Sequence, residues 1–422
     1  MRVLYYAIVI ILSYSISVDA QHLENKLHNY VDLYEGLDTE FYSESSFGVK
    51  NPIYSAFPVN SMLHYNRVDG LFIGYQEDKM EWNNSNFLNV ENVDLHGLIG
   101  FSTALGNIQY SLGAEKSIGI DRKWWLIGGE FYKSTSTEDY WRTGIFENSV
   151  SSFISGIDYM DYQESDGFGF YTMMIPVESL ELGLAYNNQK VSSLEQRTEF
   201  SVFNKYSTWR DNPSIDSQFD KIDQQNLTLG LTINPYGIKS NSILQTTLSA
   251  KAELADIQGF NNDFLYNLYQ VEAKSYLRLD KSTMLKWRLM AGSITGNAPD
   301  YKNFALGGIG SLRAFGYKIL SGNQMLLSNL ELEFGRSRNS ENRWPDLSHT
   351  TLSIFMDSGY SNFNPDYTYA DNPLNDYDIS FSDLSHNVGM GLGLGCIKFE
   401  VAKPISGEGG QSVFWIRFNP TF

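Results

Sequence analysis

The amino-acid sequence predicts an all-β fold, a transmembrane antiparallel β-barrel, from its patterning and its composition. Apolar and polar residues alternate over segments of about ten residues, which is the length of a membrane-spanning strand. Aromatic residues make up 14% of the chain and charged residues 19%, whereas about 25% of a typical soluble domain is charged. After the first twenty residues, no apolar run approaches the ~20 residues that a membrane helix needs. The predicted spans are therefore strands.

The N-terminus carries a third observation, an export signal. Residues 1–20 read MRVLYYAIVIILSYSISVDA, with Arg2 near the start, an apolar stretch and the small residue Ala20 at the end. This pattern is typical of a secretory signal peptide, so we expect residues 1–20 to be removed. Export and the barrel pattern together predict a Gram-negative outer-membrane protein whose apolar strand faces contact membrane lipids.

Charge and residue usage exclude several classes of function. The formal charge of -18 argues against a nucleic-acid partner. Cys396 is the only cysteine, which excludes a disulfide framework or a cysteine-based metal site. The six histidines are scattered without metal-ligand spacing, and the chain has no nucleophile elbow or zinc-protease motif. We therefore expect a protein that is not an enzyme and binds no metal or cofactor.

The alternation also indicates what each strand face contacts. Apolar residues recur at every second position, for example at Leu227, Leu229 and Leu231. The opposite faces carry charges of both signs, such as Glu272 and Lys274. Mixed charges suit a water-filled lumen better than a solvent surface, and they favour a barrel with lipid outside. A soluble β-protein is the alternative.

The C-terminus strengthens the barrel interpretation. Its last ten residues form an alternating strand that ends in Phe422, with the apolar side chains on one face. Such a strand resembles the signal that the outer-membrane assembly machinery reads, so we expect this machinery to insert the chain. A soluble protein would gain an aggregation-prone edge from the same segment.

Periodicity locates fifteen strands and predicts sixteen, because bacterial single-chain barrels have even strand numbers. We expect the missing strand in 134–166 or 194–225, which otherwise resemble long outer loops, as does 360–385. Residues 21–68 are predicted to be an N-terminal lead-in, either a periplasmic tail or a plug, and residues 69–422 the barrel. The fifteen predicted strands begin near Gly70, His96, Asn107, Trp124, Gly167, Leu180, Asn226, Leu244, Tyr269, Met284, Asn323, Leu352, His386, Ile397 and Val413.

A glycine-rich loop carries a family resemblance. LGGIGSLRAFGYKILSGNQMLLSNLELEF is similar to the sixth extracellular loop and following strand of the BamA/TamA/FhaC superfamily of outer-membrane barrels (bacterial surface antigen type). The motif Leu312-Arg313-Ala314-Phe315, followed by Gly316-Tyr317, matches the family's Val-Arg-Gly-Phe/Tyr tetrad. The resemblance implies that this loop folds back into the lumen. Ala314 replaces the family's glycine, so either Gly316 has taken over the glycine's role or the loop turns differently.

A second motif lies on the strand after next. Phe355, Asp357 and Gly359 resemble the family's Phe-x-Asp-x-Gly signature. By strand parity, Ser353, Phe355 and Asp357 face inward and Leu352 faces lipid.

The loop arginine requires a partner. An unpaired charge in a narrow lumen is costly, so Arg313 needs a carboxylate. The candidate partners are Asp357 and, on the adjacent strand, Glu331 or Glu333. We expect this pairing to hold the loop in place, and direct contact of Arg313 with a client protein is the alternative.

Two weaker matches extend the resemblance over residues 60–422. His64–Gly74 is similar to the start of the family's first strand, and Val388–Gly395 to its glycine-rich strand third from the end. The glycines of that strand, at every second position from Gly389, fall on the lumen face and would leave room for the inserted loop.

The resemblance implies assembly, insertion or translocation of other proteins at the outer membrane. Typical members carry periplasmic POTRA domains, and the 48 residues from 21 to 68 are too few for one. We therefore expect a barrel-only branch that works with a separately encoded periplasmic or lipoprotein partner. A passive or gated pore, and a structural or docking subunit of a surface complex, are the alternatives.

Overall fold

The computed structural model describes Ala56, Pro58 and residues 61–81, 93–120, 123–177, 179–203, 209–234, 243–280, 282–335, 350–363 and 380–418. The predicted signal peptide, most of the lead-in, much of the predicted loop 360–385 and Phe422 lie outside these residues.

Sixteen antiparallel strands form one sheet, and each pairs with the next along the chain. Two further strands, β12 and β13, pair with each other in the connection between β11 and β14. The strands are Leu63–Asn66 (β1), Gly70–Glu81 (β2), Val93–Ser102 (β3), Asn107–Ile120 (β4), Lys123–Ser136 (β5), Gln163–Val177 (β6), Leu180–Ser193 (β7), Lys221–Ile233 (β8), Leu244–Leu254 (β9), Tyr266–Arg278 (β10), Thr283–Gly296 (β11), Phe304–Leu306 (β12), Leu320–Gly322 (β13), Gln324–Gly335 (β14), Thr350–Asn362 (β15), Ser385–Leu394 (β16), Ile397–Ser406 (β17) and Val413–Phe418 (β18).

The predicted all-β fold with sixteen strands is confirmed, but the expected position of the missing strand is wrong. The fifteen predicted strands are all in the sheet, and the sixteenth is β1 rather than a segment of 134–166 or 194–225. A strand of four residues is too short to show alternation, so its periodicity carried no signal. From the lead-in, Ala56 also contacts the sheet, because its carbonyl accepts a hydrogen bond from buried Asn187 Nδ2 at 2.8 Å.

The two faces of the sheet differ sharply. Leu352 and Ile354 on β15 are 57% and 60% exposed, whereas Ser353 and Phe355, which alternate with them, are 2% and 1% exposed. The same alternation along the other strands exposes apolar side chains on the outer face, whereas the inner face carries polar and charged side chains beside a buried apolar cluster that includes Leu268, Met290 and Phe355. Successive strand residues point to opposite faces, so the alternation in the sequence shows which side chains share a face.

Two connections fill the interior. The helix loop, residues 137–162, joins β5 to β6 and contains the helix α1, Ile145–Ser155. The arginine loop, residues 297–323, joins β11 to β14 and contains the β12–β13 hairpin. Arg142 of the helix loop donates to Gly307 O at 3.3 Å and to Ser311 Oγ at 3.2 Å, so the two loops contact each other. None of the helices in the described segments is long and apolar enough to cross a membrane.

The sheet has two ends that face each other across α1. Within the described residues, β1 is paired only with β2, and β18 only with β17. The helix α1 contacts both β1 and β18. We call the gap between these two strands the seam.

Candidate functional site

Glycines shape the tip of the arginine loop. Gly307, Gly308 and Gly310 have φ angles of +119°, +81° and +71°, a region that favours glycine. A Cβ atom on Gly310 would lie 2.1 Å from the carbonyl oxygen of Arg142. Glycine therefore permits both the turn and the close approach of the helix loop.

The alanine that departs from the family motif causes no strain. Ala314 is fully buried, and neither it nor Gly316 has a positive φ. A Cβ atom on Gly316 would meet only Ile319, at ordinary contact distances from 3.7 Å. Neither Ala314 nor Gly316 therefore needs the conformational freedom of glycine in this loop. The left-handed positions of this loop are the three upstream glycines and Lys318, at φ +50°.

Arg313 lies at the centre of a buried cluster of opposite charges. Its Nε donates to Asp357 Oδ2 at 2.9 Å and its Nη2 to Asp357 Oδ1 at 2.8 Å. Its Nη1 donates to Glu400 Oε1 at 2.8 Å and to Glu331 Oε2 at 3.3 Å. We call Arg313, Asp357, Glu331 and Glu400 the arginine cluster.

Aromatic packing and two glycines fix the position of the guanidinium group. Its central carbon lies 3.3 Å from the centroid of the Phe355 ring. A Cβ atom on Gly389 would lie 2.2 Å from that ring, and one on Gly359 would lie 3.2 Å from Leu312. Gly389 therefore accommodates Phe355, and Gly359 accommodates the loop.

The Asp357 carboxylate receives hydrogen bonds from several directions. Asn329 Nδ2 donates to Oδ1 at 2.9 Å and Asn387 Nδ2 to Oδ2 at 2.8 Å. Asn329 Nδ2 also donates to Ser311 O at 2.8 Å, and the Arg313 backbone N–H donates to Asp357 Oδ2 at 3.3 Å. A buried charge is tolerated where its hydrogen-bonding capacity is met, as it is here.

The structure brings together some of the residues predicted from sequence, but not all of them. Arg313, Asp357 and Glu331 meet, whereas Glu333 lies with Lys286, whose Nζ is 3.2 Å from Glu333 Oε2. Glu400 takes the place expected for Glu333 beside Arg313. Sequence reasoning missed Glu400, which lies on the interior face of β17 and could have been found by extending the alternation to that strand.

The rest of the motif attaches the loop to the last strands and to the helix loop. Trp415 Nε1 donates to Arg313 O at 2.9 Å, and the Gln411 N–H donates to Ala314 O at 2.8 Å. Phe315 is buried and forms a β-bridge with Gly410. The Tyr317 hydroxyl donates to Tyr159 O at 2.6 Å.

A second charged group joins the tip of the arginine loop to the neighbouring loops. Lys318 Nζ lies 2.7 Å from an oxygen of both Asp139 and Asp161. Arg210 and Arg67 also contact Asp161, at 2.6 and 2.7 Å. Burial alone would raise the pKa of Asp161, but these three cations lower it below its ordinary value.

The arrangement is suited to holding a loop. Every carboxylate of the arginine cluster contacts at least one cation. In the described segments, no group of histidine, cysteine, aspartate and glutamate has the arrangement of a metal site.

Comparison with known proteins identifies the fold independently. The sequence profile of the Omp85 superfamily domain matches residues 107–420. No curated protein sequence matches the chain significantly.

The chain is also similar to solved structures, of which the BamA structure shares its fold. BamA from Haemophilus ducreyi lacking POTRA domains 1–3 matches with a TM-score of 0.52 at 17% identity, over 84% of this chain and 68% of that one. CdiB from Acinetobacter baumannii matches with a TM-score of 0.42 at 12% identity, over 84% of this chain and 58% of that one. CdiB from Escherichia coli matches with a TM-score of 0.43 at 12% identity, over 84% and 61%.

The resemblance seen in the sequence is therefore confirmed by an independent profile that covers most of the chain. Members of the Omp85 superfamily are outer-membrane barrels that insert or translocate proteins. The strand order, the inserted arginine loop and the profile match together show that this chain belongs to the Omp85 superfamily.

Proposed function

We propose that this protein assembles, inserts or translocates other proteins at the cell outer membrane, without enzymatic chemistry. The observation that carries the proposal is the seam, where β1 and β18 are each paired on one side only within the described residues. The proposal places the apolar outer face of the sheet in the lipid of that membrane.

Unpaired strand edges explain why a seam suits this function. The edge of a sheet presents backbone N–H and C=O groups that can pair with another chain. In hydrocarbon, such groups must be hydrogen-bonded, so an incoming strand gains most by adding to an existing edge. A barrel with two such edges side by side offers a template to a client that is itself a β-protein.

The filled interior counts against a passive pore. The arginine loop and the helix loop both lie against the interior face, where Arg288 donates to Gly310 O of one and to Trp141 O of the other, both at 3.3 Å. A pore would need an open path at this level. We therefore expect low, intermittent conductance in planar bilayers.

The proposal includes a partner. We infer that a separately encoded periplasmic protein or lipoprotein delivers clients to the barrel. Affinity isolation of the tagged protein from native outer membrane in mild detergent, followed by mass spectrometry, tests this. A stoichiometric periplasmic partner is expected, whereas a surface-exposed complex held through the outer loops would favour the docking-subunit alternative.

Reconstitution tests the main proposal. An eight-stranded outer-membrane barrel is unfolded in urea and diluted into liposomes that contain this protein. Its folding is then followed by the shift in gel mobility of unheated samples. We expect faster folding than in liposomes that contain an equal amount of a porin, which controls for bilayer defects. Equal rates would contradict an insertase, and steady conductance would then indicate a pore.

A further inference from the structure

The helix α1 is attached to the last strand of the sheet through one carboxylate. Glu147 accepts hydrogen bonds from Arg417 Nε at 2.8 Å and from Arg417 Nη2 at 2.9 Å. The same carboxylate accepts the backbone N–H of Phe418 at 3.1 Å. Both charged side chains are nearly inaccessible, with 3% and 4% of their surface exposed. One side chain of α1 thus binds both the backbone and a side chain of β18.

The same helix is attached to the first strand. The Tyr65 backbone N–H donates to Ser149 Oγ at 3.2 Å. Leu71, which lies directly opposite Tyr65 on β2, uses its own N–H and C=O for hydrogen bonds to Thr103. Directly opposed residues in an antiparallel pair alternate between hydrogen-bonded and non-hydrogen-bonded pairs, and Tyr65 and Leu71 form one of the second kind. The Tyr65 N–H therefore points away from β2, into the seam. Ser149 therefore occupies an edge donor that a pairing strand would otherwise use.

Aromatic contacts and the neighbouring loop hold the far end of α1. The rings of Phe153 and Tyr65 meet edge to face with centroids 5.3 Å apart. The Val202 N–H donates to Phe153 O at 2.9 Å, and the Tyr65 hydroxyl donates to Phe200 O at 2.7 Å. The helix and residues 198–203 thus form one layer over β1.

We propose that α1 is a removable latch that closes the seam by occupying the edges of β1 and β18, and that a client strand must displace it. This inference rests on the proposed function, because it assigns the regulation of the edge at which clients would pair. The latch holds the seam shut when no client is present.

The strength of these contacts suits a reversible latch. Isolated helices shorter than about 12 residues are marginal in water, and α1 has 11 residues and no side-chain hydrogen bond at its N-cap. Its order therefore depends on docking. At each terminal strand, α1 occupies one backbone donor, whereas an added client strand could form a ladder of hydrogen bonds along the six residues of β18. A client can therefore offer more hydrogen bonds than the latch does.

The latch is connected to the arginine cluster. Arg417 Nη1 lies 3.9 Å from Glu400 Oε2, and Glu400 Oε1 lies 2.8 Å from Arg313 Nη1. Arg313, Glu400, Arg417 and Glu147 form a row of alternating charges from the arginine loop to the helix. If the arginine loop or α1 moves away, Glu400 or Arg417 loses a partner of opposite charge, which alters the electrostatic interactions at the other end of the row.

A reversible cross-link tests whether α1 must move. In a Cys396→Ser background, Tyr65→Cys and Ser149→Cys are joined by a short thiol cross-linker that reduction cleaves. We expect client folding in the reconstituted assay to fall to the porin-liposome rate and to recover on reduction. The matched control joins Glu195→Cys and Arg197→Cys, an exposed ion pair within one loop, and should not change the rate. Unchanged client folding in the Tyr65–Ser149 cross-linked protein would overturn the latch.

A second measurement separates failure of the latch from failure of the proposed function. If the wild-type protein does not accelerate client folding, the insertase proposal fails, and amide hydrogen exchange then decides on the latch alone. Glu147→Gln and Ser149→Ala should each raise exchange in 63–66 and 413–418 about tenfold, since they release edge amides from protection. Glu195→Gln, which changes the same charge at an exposed site, should leave both segments unchanged. Unaltered exchange in the two latch variants would overturn the proposal.

Discussion

Arg313 and Asp357 are joined by two hydrogen bonds, Nε to Oδ2 at 2.9 Å and Nη2 to Oδ1 at 2.8 Å. This pairing uses the planar, forked geometry of a guanidinium group, which a lysine ammonium does not have. Since Asp357 is wholly buried, the pair ties the tip of a long loop to the wall of the barrel. Loss of this pair should therefore lower the stability of the folded barrel.

The first prediction concerns this pair. Arg313→Ala and Asp357→Ala should each destabilise the folded barrel by about 3–5 kcal/mol, because each leaves a buried charge without its main partner. The stability of Arg313→Lys should lie between that of the two alanine variants and that of wild type, since lysine keeps the charge but cannot form both hydrogen bonds in the guanidinium geometry. The temperature at which purified protein loses its folded gel mobility measures the effect.

A matched control uses an exposed pair. Lys190 and Asp223 lie 3.9 Å apart with 59% and 53% of their side chains exposed, so Lys190→Ala should cost less than about 1 kcal/mol. If Arg313→Ala and Asp357→Ala resisted heat as well as Lys190→Ala does, the structural role of the arginine cluster would be wrong.

Strand number and the facing of side chains could be predicted from sequence, because a period of two is directly visible in residues such as Leu227, Leu229 and Leu231. The strand β1 could not, since the four residues of Leu63–Asn66 are too few to show a period. The helix α1 was missed because its sequence, IFENSVSSFIS, includes four serines, which favour helices only weakly. Docking against β1 and β18 stabilises it instead.

The candidate site was predictable only where a motif or a parity argument applied. The motif identified Arg313 and Asp357, and parity placed Glu331 and Glu333 on the interior face. Parity could not choose between these two, because the choice depends on where the loop tip descends in the interior. Glu400 obeyed the same parity but lies 87 residues from Arg313, and the sequence does not encode that proximity.

The second prediction concerns the glycine strand. Gly389→Ala would place a methyl group 2.2 Å from the Phe355 ring and 2.3 Å from Val401 O. The Phe355 ring and the backbone of β17 must then shift, which should cost about 1–3 kcal/mol. Gly316→Ala is the control, because its new methyl group meets only Ile319 at 3.7 Å. Thermal unfolding in detergent measures both variants, and equal stabilities would contradict the role assigned to Gly389.

The third prediction concerns pH. The pKa of Asp161 is lowered in the folded protein, since Lys318, Arg210 and Arg67 outweigh the effect of burial. A carboxylate with a lowered pKa stabilises the fold fully above its unfolded value of about 3.9, and loses this contribution as the pH falls through the folded value. The difference in unfolding temperature between wild type and Asp161→Asn should therefore stay constant from pH 7 to about pH 5. It should narrow only below about pH 4, and narrowing at pH 6 would contradict the assignment.

The fourth prediction concerns Glu400, which links the arginine loop to the contact between α1 and β18. Glu400 contacts Arg313 at 2.8 Å and Arg417 at 3.9 Å. Among the described residues, it is the only member of the arginine cluster that also forms an ion pair with Arg417, the residue of β18 to which α1 is attached. Glu400→Gln keeps the size of the side chain and removes its charge. We expect raised hydrogen exchange in both 310–317 and 145–155.

The control for this variant is Glu333→Gln. Glu333 is an interior carboxylate whose cation is Lys286, 3.2 Å away, and it should protect neither segment. A double-mutant cycle between Arg313→Ala and Glu147→Gln should then give a coupling energy of about 0.5–3 kcal/mol in wild type, reduced towards zero in the Glu400→Gln background. If the arginine loop responded to Glu400→Gln while α1 did not, the two sites would be independent, and displacement of the helix by a client would leave the arginine cluster unaffected.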